Sequence, residues 1–463
     1  MPALHDLSAT ELVAAFARSS LSPVEVVRAV LERIGRWEPQ LCATYALDPG
    51  AALAAAAEAE VRWSQGRPLG PLDGVPVMIK ENIATRGVPM PLGTAASELN
   101  RSAVDAPPAA RLRESGAVIV GKTTMPDYGM LSSGLSSFHP LTRNPWDLSK
   151  GPGGSSAGAA AGVAAGYGPL HLGTDIGGSL RLPAGWCGIF SLKPSLGRIP
   201  IDPPYPGRAA GPMTRTVADA ALAMGVLSRP DFRDSMSLPY QSIDWARLES
   251  PVRGLKIGLL LDAGWGLPAE LEIRAAVQAA ALAFESAGAV VESMAPFMTR
   301  RMADGIDDFW RMRAWRDISA LPEGRRDKVL PFILQWARGA AGLSGERVFD
   351  GYSQMGAIRD AAVRATSPYD FVLSPTAPVA AFAAELPTPT NDPERPFEHI
   401  AFTLPYNMSE QPAASIDCGH TAAGLPIGLQ IAGRRHDDLG VLQLAAAWER
   451  MRPPPRPWPE PSG

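Results

Sequence analysis

Cysteine is scarce. Cys42, Cys187 and Cys418 are the only three in 463 residues, an odd number without metal-ligand spacing, which excludes a disulfide framework and a structural zinc site and leaves reduced, mostly buried thiols as the expectation. No block of five or more like charges occurs and the formal net charge is −4, so neither a nucleic-acid backbone nor an anionic membrane is an expected partner. No stretch of 18 residues is uninterruptedly apolar, and the first residues lack a basic region followed by an apolar one. These absences predict no membrane span and no secretion signal, with the cytoplasm as the default compartment. Six histidines, His5, His139, His171, His399, His420 and His436, receive no catalytic role.

What is present is a chain 46% apolar and 19% charged, enough to bury a large core. Leu7-Ser8-x-x-Glu11-Leu12 and Leu21-Ser22-Pro23-x-Glu25-Val26 read as capping boxes that open two helices. An alanine-rich helix follows over 51–63, then a short apolar run over 74–80 that reads as a buried strand with Lys80 at its end. A helix over 107–115 with Gly116 as its cap leads into a β-branched strand over 117–120. Apolar runs at 256–261, 371–373 and 426–431 alternate with helical patterns at 216–227, 269–288 and 438–450. The alternation predicts an α/β fold, a large, mixed, mostly parallel twisted sheet covered by helices on both faces. One domain over 1–463 is expected, with an N-terminal helical segment over 1–65 and a variable cap or pocket region at about 230–365. Residues 302–321 and 331–343 hold Phe309, Trp310, Trp315, Phe332 and Trp336 among many arginines; a helix pair packing its aromatics inward is preferred over a lid. The proline-rich tail over 453–461 reads as a frayed end.

Gly116-Ala-Val-Ile-Val-Gly121-Lys122-Thr123 matches the phosphate-binding P-loop pattern letter for letter. The context excludes it: the spacer residues are strand formers and the helix precedes them, whereas a phosphate cradle needs a flexible loop between strand and helix.

The densest run of small residues lies over 151–194. Glycines leave backbone N–H groups uncovered, which a hole for a developing oxyanion requires, and Ile176-Gly177-Gly178-Ser179 places successive amides next to a hydroxyl. A flexible linker or tight helix packing would also use such residues, but a solvated linker would not carry Leu172, Trp186, Ile189 and Phe190.

These residues resemble the amidase signature family. The resemblance rests on Gly153-Gly154-Ser155-Ser156, on Gly173 to Arg181, on Cys187-Gly188, on Leu192-Lys193-Pro194, and on Asp73-Gly74-Val75-Pro76 leading to Lys80. It extends through Val120 to Thr123, Asn144-Pro145, Pro405 to Met408 and Gly424 to Gly433, covering nearly the whole chain and less securely 230–365. It implies an enzyme with Ser179 as nucleophile, Ser155 as bridging hydroxyl and Lys80 as base, with no metal or organic cofactor. The backbone amides of Ile176, Gly177, Gly178 and Ser179 would face the oxyanion. Gly129, Met130, Leu131, Ser132 and Trp186 are implied pocket residues, while Thr174, Asp175 and Arg181 are expected to brace the loop and Ser156 to be structural. Ala157 departs from the glycine usual in the family. The implied activity is cleavage of the C–N bond of small amides, with aryl amides, anilides, esters and carbamates (urethanes) as related substrates. The alternative is a glutaminase-like subunit of a tRNA-dependent amidotransferase. The expected partner is a small molecule, and the oligomer considered is a homodimer.

Overall fold

Residues 3–461 are described by the structure, a computed structural model. Both N-terminal capping boxes form: Ser8 and Glu11 cap the helix Ala9–Ala17, and Ser22 and Glu25 cap the helix Pro23–Leu41. In each, serine and glutamate satisfy each other's backbone N–H.

Eleven strands build one sheet among the described residues: β1 (Thr44–Tyr45), β2 (Pro76–Lys80), β3 (Val118–Thr123), β4 (Leu170–Asp175), β5 (Phe190–Lys193), β6 (Ala209–Thr214), β7 (Lys256–Leu259), β8 (Val290–Ser293), β9 (Phe371–Pro375), β10 (Ala413–His420) and β11 (Pro426–Gly433). Their order is β1-β3-β2-β4-β6-β5-β10-β11-β9-β7-β8. The α/β class and the mixed sheet agree with the sequence, but parallel pairing is less prevalent than expected. Parallel neighbours are confined to β3-β2-β4 and β9-β7-β8. The middle of the sheet is antiparallel, because the hairpin β10–β11 and the pairs β4–β6 and β5–β6 insert between the two parallel blocks.

Alternate side chains of the central strands enter different cores, so helices cover both faces. Val77, Ile79, Leu429 and Ile431 join one cluster with the helices Val217–Leu227 and Asp438–Met451. Met78 packs on the other face with Ala161 and Ala165 of the helix Ala157–Ala165. Lys80, two residues beyond Met78, therefore emerges on the face carrying that helix. Residues 256–293 extend the sheet at one edge as β7 and β8, and the helices Arg300–Ser319, Pro331–Arg338 and Gly345–Thr366 follow.

The P-loop match forms no phosphate cradle. Its last six residues are β3, and Lys122 is buried, donating to the Ile83 carbonyl and to Thr85 Oγ1 at 2.8 Å. The tail is also not frayed. The Arg215 guanidinium lies 4.4 Å from the Trp458 ring centroid, and buried Arg33 pairs with Glu460 and donates to the Pro459 carbonyl at 3.0 Å. A buried arginine demands acceptors, and the tail supplies two. Among the described residues no helix is long and apolar enough to cross a membrane.

Candidate active site

The five residues of β2 are buried and the strand lies between β3 and β4 in parallel register, so Lys80 reaches the carboxyl ends of the strands, where open α/β sheets place their ligands. Lys80 Nζ contacts three hydroxyls: Ser155 Oγ at 2.8 Å, Ser156 Oγ at 3.1 Å and Thr174 Oγ1 at 3.1 Å. No carboxylate forms an ion pair with it among the described residues. Burial first, and then the nearby Arg208 guanidinium, pull Lys80 well below the ordinary lysine value, against Asp175 and Glu81. Its uncharged form has two N–H groups and one lone pair. The Ser156 hydroxyl donates to the Thr174 carbonyl at 3.2 Å, so its oxygen is open to an incoming N–H, and Thr174 Oγ1 also accepts from Asn82 Nδ2 at 3.1 Å. These two oxygens take the two N–H groups, and the lone pair is left for the hydroxyl hydrogen of Ser155. Ser156, expected to be purely structural, thus helps to aim the lysine.

Ser155 closes the glycine-rich loop ahead of the helix Ala157–Ala165, and Ala157 is accommodated as its first residue, fully buried. Ser179 lies between β4 and the helix Arg181–Cys187. Both serines line one cavity of about 290 Å³. Lys80 stands behind Ser155, outside the lining. The Ser179 hydroxyl has no hydrogen-bond partner among the described residues, so the expected contact between the two serines is not formed.

The loop holding Ser179 is braced by Asp175 and Arg181 as expected, whereas the Thr174 hydroxyl is turned to Lys80 instead. Asp175 accepts from Arg181 Nε at 3.0 Å and Nη2 at 2.9 Å, from Asn407 Nδ2 at 2.9 Å, and from the amides of Gly178 at 2.8 Å and Leu180 at 3.0 Å. Burial opposes its ionisation, but Arg181 outweighs burial and holds the carboxyl well below the usual range. Arg181 is itself fully buried and also donates to the Thr403 carbonyl, Gln430 Oε1 and Asn407 Oδ1. One expectation is corrected here. Gly178 was counted among the oxyanion donors, but an amide has one proton and Gly178 gives it to Asp175. Gly178 adopts φ +131°, and a Cβ there would lie 2.5 Å from Thr403 Oγ1, so glycine is required for this turn away from the cavity. The amides of Ile176, Gly177 and Ser179 make no hydrogen bond among the described residues, and these three residues line the cavity.

Gly129, Met130, Leu131 and Ser132 all line the cavity. Trp186 does not, which corrects its assignment. It is buried, donates from Nε1 to the Val379 carbonyl at 2.8 Å and packs edge-on against Phe382. None of the six histidines reaches the cavity wall.

Much of the wall was not anticipated. Met90, Leu92, Met125, Phe397 and Ile400 supply apolar surface, and Arg208, Arg313 and Asp317 supply charge. Trp310 was noted only as part of an aromatic segment. It packs edge-on against Phe397 with centroids 5.3 Å apart, as the inward-packing helix reading required, and also lines the cavity. The alternation of aromatics and arginines over 302–321 was the one available signal, and it gives no indication of which cavity the helix faces.

A family model described as Amidase matches residues 25–442. The chain is 36% identical to a glutamyl-tRNA(Gln) amidotransferase subunit from Myxococcus xanthus, covering 96% of this chain and 97% of that one. It is 34% identical to an acylamidase from Rhodococcus erythropolis, covering 97% and 96%. Among solved structures, a bacterial aryl acylamidase of the amidase signature enzymes superposes with a TM-score of 0.90 at 32% identity, over 97% of this chain and 96% of that one.

Proposed function

The chain belongs to the amidase signature family and acts on amides; from that premise we propose that it is a free-standing hydrolase of small, mainly apolar or aryl amides, working through an acyl-enzyme on Ser179. The observation that carries the reading is Lys80, buried and held off its charged form, in contact with Ser155 on a largely apolar cavity that Ser179 also lines.

In this reading Ser179 Oγ attacks the amide carbonyl while its proton passes to Ser155 and the Ser155 proton passes to Lys80. The gap between the two serine hydroxyls closes when substrate is bound, as contacts of this kind commonly do. The tetrahedral oxygen lies against the amides of Ile176, Gly177 and Ser179, where each donor is worth about 3 kcal/mol. The C–N bond then breaks, the relay returns its proton to the departing nitrogen, and water attacks the acyl-enzyme by the same relay. Esters and carbamates offer the same carbonyl to the same nucleophile.

The amidotransferase-subunit reading is supported by the name of the Myxococcus relative. It requires partner chains, and the apolar stretch formed by Met90, Leu92, Met125 and Trp310 suits an alkyl or aryl group of the substrate. The test uses the purified chain alone. Hydrolysis of a nitroanilide without any added protein supports the free enzyme, and turnover only with co-expressed partners transfers the assignment to the amidotransferase. A fluorophosphonate should label Ser179, and label retained in Ser179→Ala would end the nucleophile assignment. Lys80→Ala should lower kcat by orders of magnitude, and a near-normal rate at neutral pH would remove the proposed base.

A further inference from the structure

The cavity carries charge that the hydrolytic steps do not use. Arg208, Arg313 and Asp317 line it, and among the described residues none of the three forms an ion pair or donates or accepts a side-chain hydrogen bond. Arg208 directly precedes β6, whose Ala209 is registered against Asp175, so its backbone lies opposite Ile176 at the start of the loop that carries Ser179. Arg313 comes from the helix Arg300–Ser319, its guanidinium carbon 4.1 Å from the Tyr205 ring centroid. Burial, and then repulsion from Arg313, draw Arg208 down to about 10 against the pull of Asp202. The lowering accords with the geometry: two guanidinium groups line one cavity, and neither forms an ion pair with Asp202 or Asp317 among the described residues. Asp175, close by, is already consumed by Arg181. Asp317, one helical turn beyond Arg313, also lines the cavity and acts on Tyr128.

Arg208 is half-buried while Arg313 and Asp317 are exposed; a cation partly withdrawn from water without a partner is costly, and a fork of N–H donors matches a carboxylate in shape as well as sign. We propose that Arg208 and Arg313 are the specificity-determining end of the cavity and receive a carboxylate, so that the amides cleaved here carry an anionic group near the scissile carbonyl. This inference rests on the reading of Ser179 as nucleophile and names the substrate class of that same cavity.

Binding to Ser179→Ala tests it without turnover. Calorimetry with two matched pairs samples both sides of the scissile bond: glutaryl anilide against its terminal carboxamide, and 4-acetamidobenzoate against 4-acetamidobenzamide. In at least one pair the carboxylate should bind about tenfold more tightly. Adding Arg208→Met should bring that ratio to about one, Arg208→Lys should retain part of it, and Arg313→Met should reduce it. Using a ratio removes any general effect of Arg208 on the site, and thermal unfolding of each variant checks that it folds. A ratio near one in both pairs, no binding of any of the four compounds, or an unchanged ratio in a folded Arg208→Met protein would overturn the proposal. The two levels fail separately. Neutral anilides cleaved by the wild type with no carboxylate preference defeat this inference alone, whereas failure to cleave any anilide and to label Ser179 defeats the functional reading while the binding ratio still decides this one.

Discussion

Asp175→Asn replaces one oxygen of a buried carboxylate by an N–H₂ group and removes one charge, and its consequences follow from the bonds around it. In the native loop Oδ1 accepts from Gly178, Arg181 Nη2 and Asn407, and Oδ2 accepts from Leu180 and Arg181 Nε. If the asparagine keeps its oxygen at the Oδ1 position, its new N–H₂ faces two donors; in the flipped orientation it faces three. The better orientation loses two bonds, one of them to a charged donor. Such bonds are each worth about 1.5–3 kcal/mol where a charge takes part, so the loss of two is about 3–6 kcal/mol, overlapping the roughly 3–5 kcal/mol found when one member of a buried ion pair is removed. Arg181 is left buried with neutral acceptors only. Of a typical total stability of about 5–15 kcal/mol, this is a large part. Urea unfolding followed by tryptophan fluorescence should show it as a lower midpoint at unchanged slope. The same substitution loosens the turn that holds Ser179, and displacement by about 1 Å can cost 100-fold in rate, so kcat on a nitroanilide should fall by a comparable factor. A stability loss under about 1 kcal/mol, or a rate within threefold of wild type, would refute the argument that Asp175 sets this loop. Native Asp175 is held below its unfolded value, so its contribution is complete at neutral pH and is lost only in strong acid.

The proposed relay needs uncharged Lys80, so kcat/KM should fall as pH drops through its depressed value; Arg208→Met removes one lowering influence and should move that limb to higher pH, and an unmoved or downward-shifted limb refutes the coupling. Lys122 is lowered by burial to about 7, so above that pH the unfolded chain binds a proton that the native one lacks and stability rises with pH. Lys122→Met should flatten that rise by about 1.4 kcal/mol per pH unit between pH 8 and 10, and urea titrations with an unchanged slope would refute it. Trp310 lies against the loop of residues 176–179, 3.3 Å from where a Cβ on Gly177 would sit, and its buried indole N–H has no partner among the described residues. Trp310→Phe removes that orphan donor and enlarges the cavity, so stability should change by less than about 1.5 kcal/mol while the kcat/KM ratio of benzoyl to acetyl anilide increases; an unchanged ratio removes Trp310 from the acyl wall.

How far such a site can be read from sequence depends on how local its causes are. Lys80 ends a fully buried strand that contains Val77 and Ile79, and Ser155 and Ser179 stand in glycine-dense turns, so both the elements and the proposed chemistry can be read in short windows. The strands β4 and β6, with the sequences LHLGTD and AAGPMT, were not visible. Small residues have little intrinsic strand preference, and their conformation comes from the partners that pair with them. Gly178 and Trp186 were misplaced for a related reason. Which way an amide points depends on a dihedral angle, and whether an indole meets solvent or core depends on the approach of another loop: a Cβ on Gly153 would lie 2.5 Å from Trp186. Both are decided by three-dimensional neighbours. The wall formed by Arg208, Arg313, Trp310 and Phe397 is the extreme case, assembled from segments separated by as many as 189 positions in the chain. Bond-cleaving chemistry is therefore written in a few local motifs, and selectivity is written in contacts that no window contains. That division explains how one chain can stand at 34% identity to a protein named acylamidase and at 36% to one named for its place in an amidotransferase. The shared motifs settle what kind of bond is attacked, and only the residues that face the cavity can distinguish which molecule presents it.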